Sequence, residues 1–150
     1  MSAPGAFELG TDGPTSILVG LDGSPTSMRA AAYAAGLARR QRARLLVVYV
    51  GKVGGMPAAA ALAAGAVDET IDQIGQDLRR QVEQAAVERG IDAVFMTVRG
   101  DPYSEIRRIA TELRADAVVV GASATAGHRF VGSLAVRLVK AGQWPVTVVP

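Results

Sequence analysis

Cysteine is absent from the chain, which excludes a disulfide framework, a thiolate metal site and a thiol nucleophile. His128 is the single histidine, and one imidazole does not make a dedicated metal cluster. Aromatic residues amount to 5%, so few rings are available to stack on bases. Neither sign of charge dominates. Sixteen Lys and Arg against fourteen Asp and Glu leave a formal charge of +2, although the pI is near 9.4. So weak a field does not call for a polyanion, and no nucleic-acid partner is expected. A long hydrophobic run is also lacking. The most apolar stretch, Met56 to Val67, is interrupted by glycine and falls short of the roughly 20 residues that a membrane-crossing helix needs. No membrane partner is therefore expected. Met1 to Pro14 has neither a basic segment nor an apolar run of signal-peptide length and reads as a disordered arm; a cytoplasmic protein is the expectation.

What remains is 150 residues, 49% of them hydrophobic and rich in Ala and Val. That is enough chain for one core, expected over residues 15–150. Short β-branched runs punctuate it: Ile17 to Val19, Leu45 to Val50, Val118 to Val120 and Val146 to Val149, with a weaker one at Val94 to Val98. Several are apolar on successive residues, as strands covered on both faces must be. The weaker run and the last one, bracketed by Pro145 and Pro150, read as edges.

Helices are expected between the runs. The first starts at Ser24-Pro25, by cap-then-proline logic, and runs to about Arg40. The second places Val67, Ile71, Ile74, Leu78 and Val82 on one face and ends at Gly90. The third opens at Asp101-Pro102 and turns Ile106, Ile109 and Leu113 inward. The fourth spans Gly132-Ser133 to Gly142, with Leu134, Leu138 and Val139 inward and Arg137 and Lys140 outward. Alternation of strand and helix predicts an α/β fold with parallel strands and helices on both faces. Ligands of such sheets bind beyond the carboxyl ends of the strands, here after Val19, Val50, Val98 and Val120. Gly51 to Gly65 reads as a glycine- and alanine-rich connection placed to act as a flap.

Two loops carry candidate chemistry. Gly20-Leu21-Asp22-Gly23-Ser24-Pro25 sets a carboxylate at a strand end, where Asp22 can accept from a base or ribose or hold the water shell of a cation. The same residues also make a plain turn and cap. The loop from Gly121 through Ala122 and Ser123 to Gly132, Ser133 and Leu134 consists largely of small residues and leads into a helix, an anatomy suited to phosphate. Gly121 would let a sugar or phosphate approach the main chain; the alternative is a loop that only caps a helix. His128 and Arg129 can neutralise a polyphosphate or stay solvated. Arg99 reads as exposed, Gly100 as a point of close chain passage, and Trp144 as a packing anchor. No Walker-type Lys-Ser pair and no Gly-x-Gly-x-x-Gly after the first strand occurs.

From Ile17 to Val149 the sequence resembles the universal stress protein family. The resemblance rests on Ile17 to Ser24, Leu45 to Val50, Val98-Arg99-Gly100-Asp101-Pro102, Val118 to Gly121 followed by Gly132-Ser133, and Pro145 to Val149. It implies a Rossmann-like, adenine nucleotide alpha hydrolase-like sheet of five parallel strands in the order 3-2-1-4-5. It also implies the ATP-binding branch with a divergent motif: Ala124 stands where that branch has a second glycine, and the loop to Gly132 is two residues shorter. By the same resemblance Asp22 and the main chain of Val50 meet adenine, Gly121 the ribose, and Gly132 and Ser133 the phosphates. The expected site is Gly20, Leu21, Asp22, Val50, Gly100, Gly121, Ala122, Ser123, Gly132, Ser133 and Leu134. Its ligand is ATP, ADP or AMP, with Mg²⁺ reached by Asp22 through water, and a homodimer forms through Val146 to Val149. Two alternatives stay open: a dimeric stress scaffold that binds no nucleotide, and a slow ATPase.

Overall fold

A computed structural model describes residues 13–52, 64–125 and 128–150. The elements are β1 Ser16–Leu21, α1 Pro25–Gln41, β2 Arg44–Gly51, α2 Ala64–Arg89, β3 Ala93–Arg99, α3 Pro102–Glu112, β4 Ala117–Gly121, β5 Ser123–Thr125, β6 His128–Phe130, α4 Ser133–Ala141 and β7 Val146–Val149. Strands of the large sheet lie in the order β3-β2-β1-β4-β7, all parallel. Counted within that sheet alone this is 3-2-1-4-5, as expected, and β3 and β7 are its edges.

Consecutive apolar residues in the strands divide between two cores because side chains alternate across a sheet. Ile17, Val19, Leu21, Leu45, Val47, Tyr49, Phe95 and Val119 pack with Ala30, Ala34, Ala38, Ile71 and Leu78 on the side of α1 and α2. Leu18, Leu46, Val48, Val50, Val118 and Val120 pack with Ile106, Ile109, Ala110, Ala135 and Leu138 on the side of α3 and α4.

Local signals set the helix ends. Ser24 Oγ accepts from the Ser27 amide at 3.2 Å and Pro25 occupies the first turn of α1; Asp101 Oδ2 accepts from the Ser104 amide at 2.9 Å and Pro102 opens α3. α1 closes on Arg42 in the left-handed region, while Gly90 and Gly142 end α2 and α4 with positive φ.

Four expectations are corrected. Leu113 is exposed, since it is the C-cap of α3 and has left helical geometry. Val139 is more than half exposed because α4 turns Ala135 and Leu138 to the sheet, and the next residue along is rotated by about 100°. Ile74 lies at the margin of α2, whose close approach to β3 runs through Gly75 against Thr97. The stretch after β4 is an antiparallel hairpin, β5 with β6, and not an irregular loop. The Met1 to Pro14 arm up to Asp12, the body of the Gly51 to Gly65 flap, and the side chains of Val67, Ala124, His128 and Arg129 lie outside the described residues.

Gly121 ends β4 directly against the first turn of α1. A Cβ there would stand 2.6 to 2.7 Å from the main-chain atoms of Thr26 and Ser27. The same addition at Gly20 would meet only the terminal Cδ1 of Ile106, at 2.8 Å. Backbone cannot swing aside as a side-chain methyl can, so the two glycines should respond differently. Gly121→Ala is expected to cost about 2–3 kcal/mol and Gly20→Ala less than about 1 kcal/mol in urea unfolding; equal losses would contradict the packing described.

Candidate functional site

The sheet order reverses beside β1, which pairs with both β2 and β4. The chain leaves these strands in opposite directions, so a crevice opens beyond their carboxyl ends. It holds about 1090 Å³ and is walled by the turn after β1, the end of β2, the start of α3, the end of β4 and the first turns of α4. That volume is at the upper end for small-molecule clefts.

The structure brings together Gly20, Leu21, Asp22, Val50, Gly121, Ala122, Ser123, Gly132, Ser133 and Leu134 around this cleft. Gly100 stands apart from it. Its φ of +141 suits glycine, its amide donates to the Gly51 carbonyl at 3.1 Å, and its neighbour is the Glu105 side chain. Gly121 lines the cleft, but the space its missing side chain frees is taken by α1 and not by the cleft. Gly132 is likewise filled from inside the protein, since a Cβ there would collide with Ser123 Oγ. The bareness of Gly121 is therefore demanded by backbone packing, whereas at Gly132 the neighbour is a side-chain hydroxyl. Arg99 is turned away and pairs with Asp68 and Asp72 of α2.

Three helix amino ends, of α1, α3 and α4, face the cleft, and they differ. α1 and α3 each carry a side-chain oxygen on their first amides and proline in the first turn. α4 begins at Gly132 with no side-chain cap, and Ser133 supplies both an amide and a hydroxyl. The first amides of a helix have no partner within it and carry the positive end of the peptide dipoles.

The sequence matches the family model described as the universal stress protein family over residues 14–150. The chain belongs to the universal stress protein family. It is 30% identical over 138 residues to a universal stress protein of Methanocaldococcus jannaschii, covering 89% of this chain and 80% of that protein. Its fold is similar to the universal stress protein UspA of Lactobacillus plantarum, with a TM-score of 0.79 at 27% identity, covering 91% of this chain and 97% of the other. It is also similar to a universal stress protein solved in complex with cAMP, with a TM-score of 0.66 at 25% identity over 91% and 97% of the two chains.

In this universal stress protein the cleft contains groups that sequence reasoning did not place there: Thr26, Ser27, Arg29, Tyr49, Lys52, Asp101, Tyr103 and Arg137. Arg137 in particular was expected outward. It lies one turn beyond Ser133 on the same face of α4, which points to the cleft mouth. That i, i+4 spacing was the available signal. Among the described residues no group of three or more His, Asp or Glu gathers to hold a metal, and no helix is long and apolar enough to cross a membrane.

Asp22 is exposed to the cleft, with Oδ1 accepting from the Ser24 amide at 2.8 Å. Partial burial alone would raise its pKa. Hydrogen bonds from Ser24, from Ser27 and from its own main chain outweigh that and hold it below the ordinary aspartate value. Tyr49 beneath it is pushed up, first by burial and then by the Asp22 carboxylate. A folded pKa below the unfolded one means that Asp22 adds stability above its unfolded pKa and loses it as pH falls through the folded value. In thermal melts, acidification from neutral pH to about pH 3 should therefore cost the wild type more than Asp22→Asn. Equal acid sensitivity of the two proteins would remove Asp22 from the acid limb.

Proposed function

We propose that this chain is a universal stress protein module that binds an adenine nucleotide, with the phosphates on the amino end of α4. The observation that carries this reading is the contrast among the three helix ends: α1 and α3 each have a side-chain cap, from Ser24 and Asp101, and among the described residues α4 has no side-chain cap hydrogen bond at its Gly132 start. An anion is the natural occupant of such an end. On this reading adenine and ribose lie toward Asp22, Val50, Gly121, Ala122 and Ser123, with Gly20 and Leu21 as floor. The cleft volume accommodates a nucleotide, and the relative solved with cAMP supports the ligand class. Asp22 offers one cleft-facing carboxylate, which could reach Mg²⁺ through water, while the ion's main ligands would be the phosphates themselves.

One observation favours the alternative of a scaffold that binds nothing: Gly121 is explained by backbone packing against α1. Calorimetric titration separates the two readings. Ser133→Pro removes one amide and one hydroxyl but suits the first helical position, and Gly132 already has the extended ψ of 172° that a residue before proline adopts. Wild type should bind ATP saturably, and Ser133→Pro should weaken binding roughly tenfold with an unchanged melting temperature. Absence of heat with ATP, ADP, AMP and cAMP alike would favour the scaffold.

We also propose that β7 forms the homodimer seam. It pairs on one side only, with β4. The Pro145 and Val149 carbonyls face β4, accepting from Val118 and Ala122, so alternation turns the N–H and C=O of Val146 and Val148 outward. An edge of this composition invites pairing. Val148→Pro removes an outward donor and leaves the β4 ladder intact. Light scattering after size exclusion should show a dimer for wild type and a monomer for Val148→Pro; a dimeric variant would rule out this seam.

A further inference from the structure

We infer that Arg137 and Lys52 make the cleft select nucleotides by the number of their phosphates, receiving the second and third phosphates of a nucleoside polyphosphate. This deepens the nucleotide reading above and rests on it.

Arg137 sits four residues after Ser133, hence on the same face of α4, and helical side chains lean toward the amino end. Its guanidinium therefore lies next along the path of a chain whose first phosphate occupies the α4 amides. Its Cζ lies over the Tyr103 ring, 4.0 Å from the centroid, a contact that does not use its N–H donors. The adjacent carboxylate does not use them either. Asp101 Oδ2 is 3.8 Å from Arg137 Nη1, beyond hydrogen-bonding length, because that oxygen already accepts from the Ser104 amide and hydroxyl at 2.9 Å each. Arg137 is thus about half exposed, with one long ion pair and no side-chain hydrogen bond among the described residues. Lys52, at the end of β2, lines the same mouth and makes no ion pair among the described residues. Two cations face one carboxylate, one of whose oxygens already caps α3. A monophosphate held at α4 leaves them unused, whereas a di- or triphosphate extends into them and brings the planar, paired oxygens that a guanidinium fork binds best.

Titration of ATP and AMP at one fixed salt concentration tests this with Arg137→Gln, Arg137→Lys, Lys52→Gln and Asp101→Asn. Wild type should bind ATP more tightly than AMP. Arg137→Gln should weaken ATP roughly tenfold and AMP by less than about twofold, with Arg137→Lys between. Lys52→Gln should weaken ATP in preference to AMP. Asp101→Asn keeps a good helix cap but removes the competing charge, so it should tighten ATP. Equal losses for ATP and AMP in Arg137→Gln, or a wild type that prefers neither, would overturn this inference while the nucleotide reading stands. A wild type that binds neither ligand would overturn both.

Discussion

The contact on which the cleft depends is main chain against main chain: the end of β4 at Gly121 and the first turn of α1 at Thr26 and Ser27. Their approach is closer than any side chain would allow. It seats α1 so that Ala30, Ala34 and Ala38, small enough to pass close to the sheet, are fully buried against β1 and β4. With α1 fixed there, the turn bearing Asp22 and the β4 end bearing Ala122 and Ser123 become two walls of one crevice. The alanine content of α1 and the glycine ending β4 are one constraint seen from both sides. Residues of this kind are easily taken for ligand contacts, yet their first duty is to let the backbone meet.

The amino ends of the helices divide the electrostatic work. At α1 and α3 the orphan amides are absorbed locally, by Ser24 and Asp101 with a proline after each, and these ends contribute stability. At α4 they are left unabsorbed, and Ser123 packs beneath Gly132 to hold that end in place through the β5-β6 hairpin. A protein gains little stability by leaving amides uncapped. An uncapped helix end is open to an anion from outside, which is why this end of the cleft, and not the Asp22 turn, anchors the functional reading. Across the mouth, Asp101 serves two neighbours unequally: its Oδ2 caps α3 with two hydrogen bonds of 2.9 Å and stands 3.8 Å from Arg137.

Much of this was legible in the residues themselves. The runs Ile17 to Val19, Leu45 to Val50 and Val118 to Val120 mark strands buried on both faces because unbroken apolar sequence has no solvent side. Ser24-Pro25 and Asp101-Pro102 mark helix starts because capping and a fixed φ are local properties. Errors arose where one residue's fate depended on the rotation of a whole element. Leu113 follows the periodicity of α3 but lies past its end, Val139 lies a step around α4 from the sheet, and Ile74 was displaced when Gly75 took the close approach. The hairpin escaped notice because two three-residue strands are too short to have a periodicity to read.

The sequence by itself determined the order and type of the elements of the large sheet and its helices, the edges of that sheet and the caps that start α1 and α3, since each follows from short-range sterics and from the alternation of side chains. Only the tertiary structure decided that Gly100 stands outside the cleft while Tyr49, Lys52 and Arg137 stand within it, and that Gly121 is bare for the sake of α1. Those outcomes depend on distances between segments far apart in the chain. Packing sets such distances for all elements at once, and no single segment carries the information.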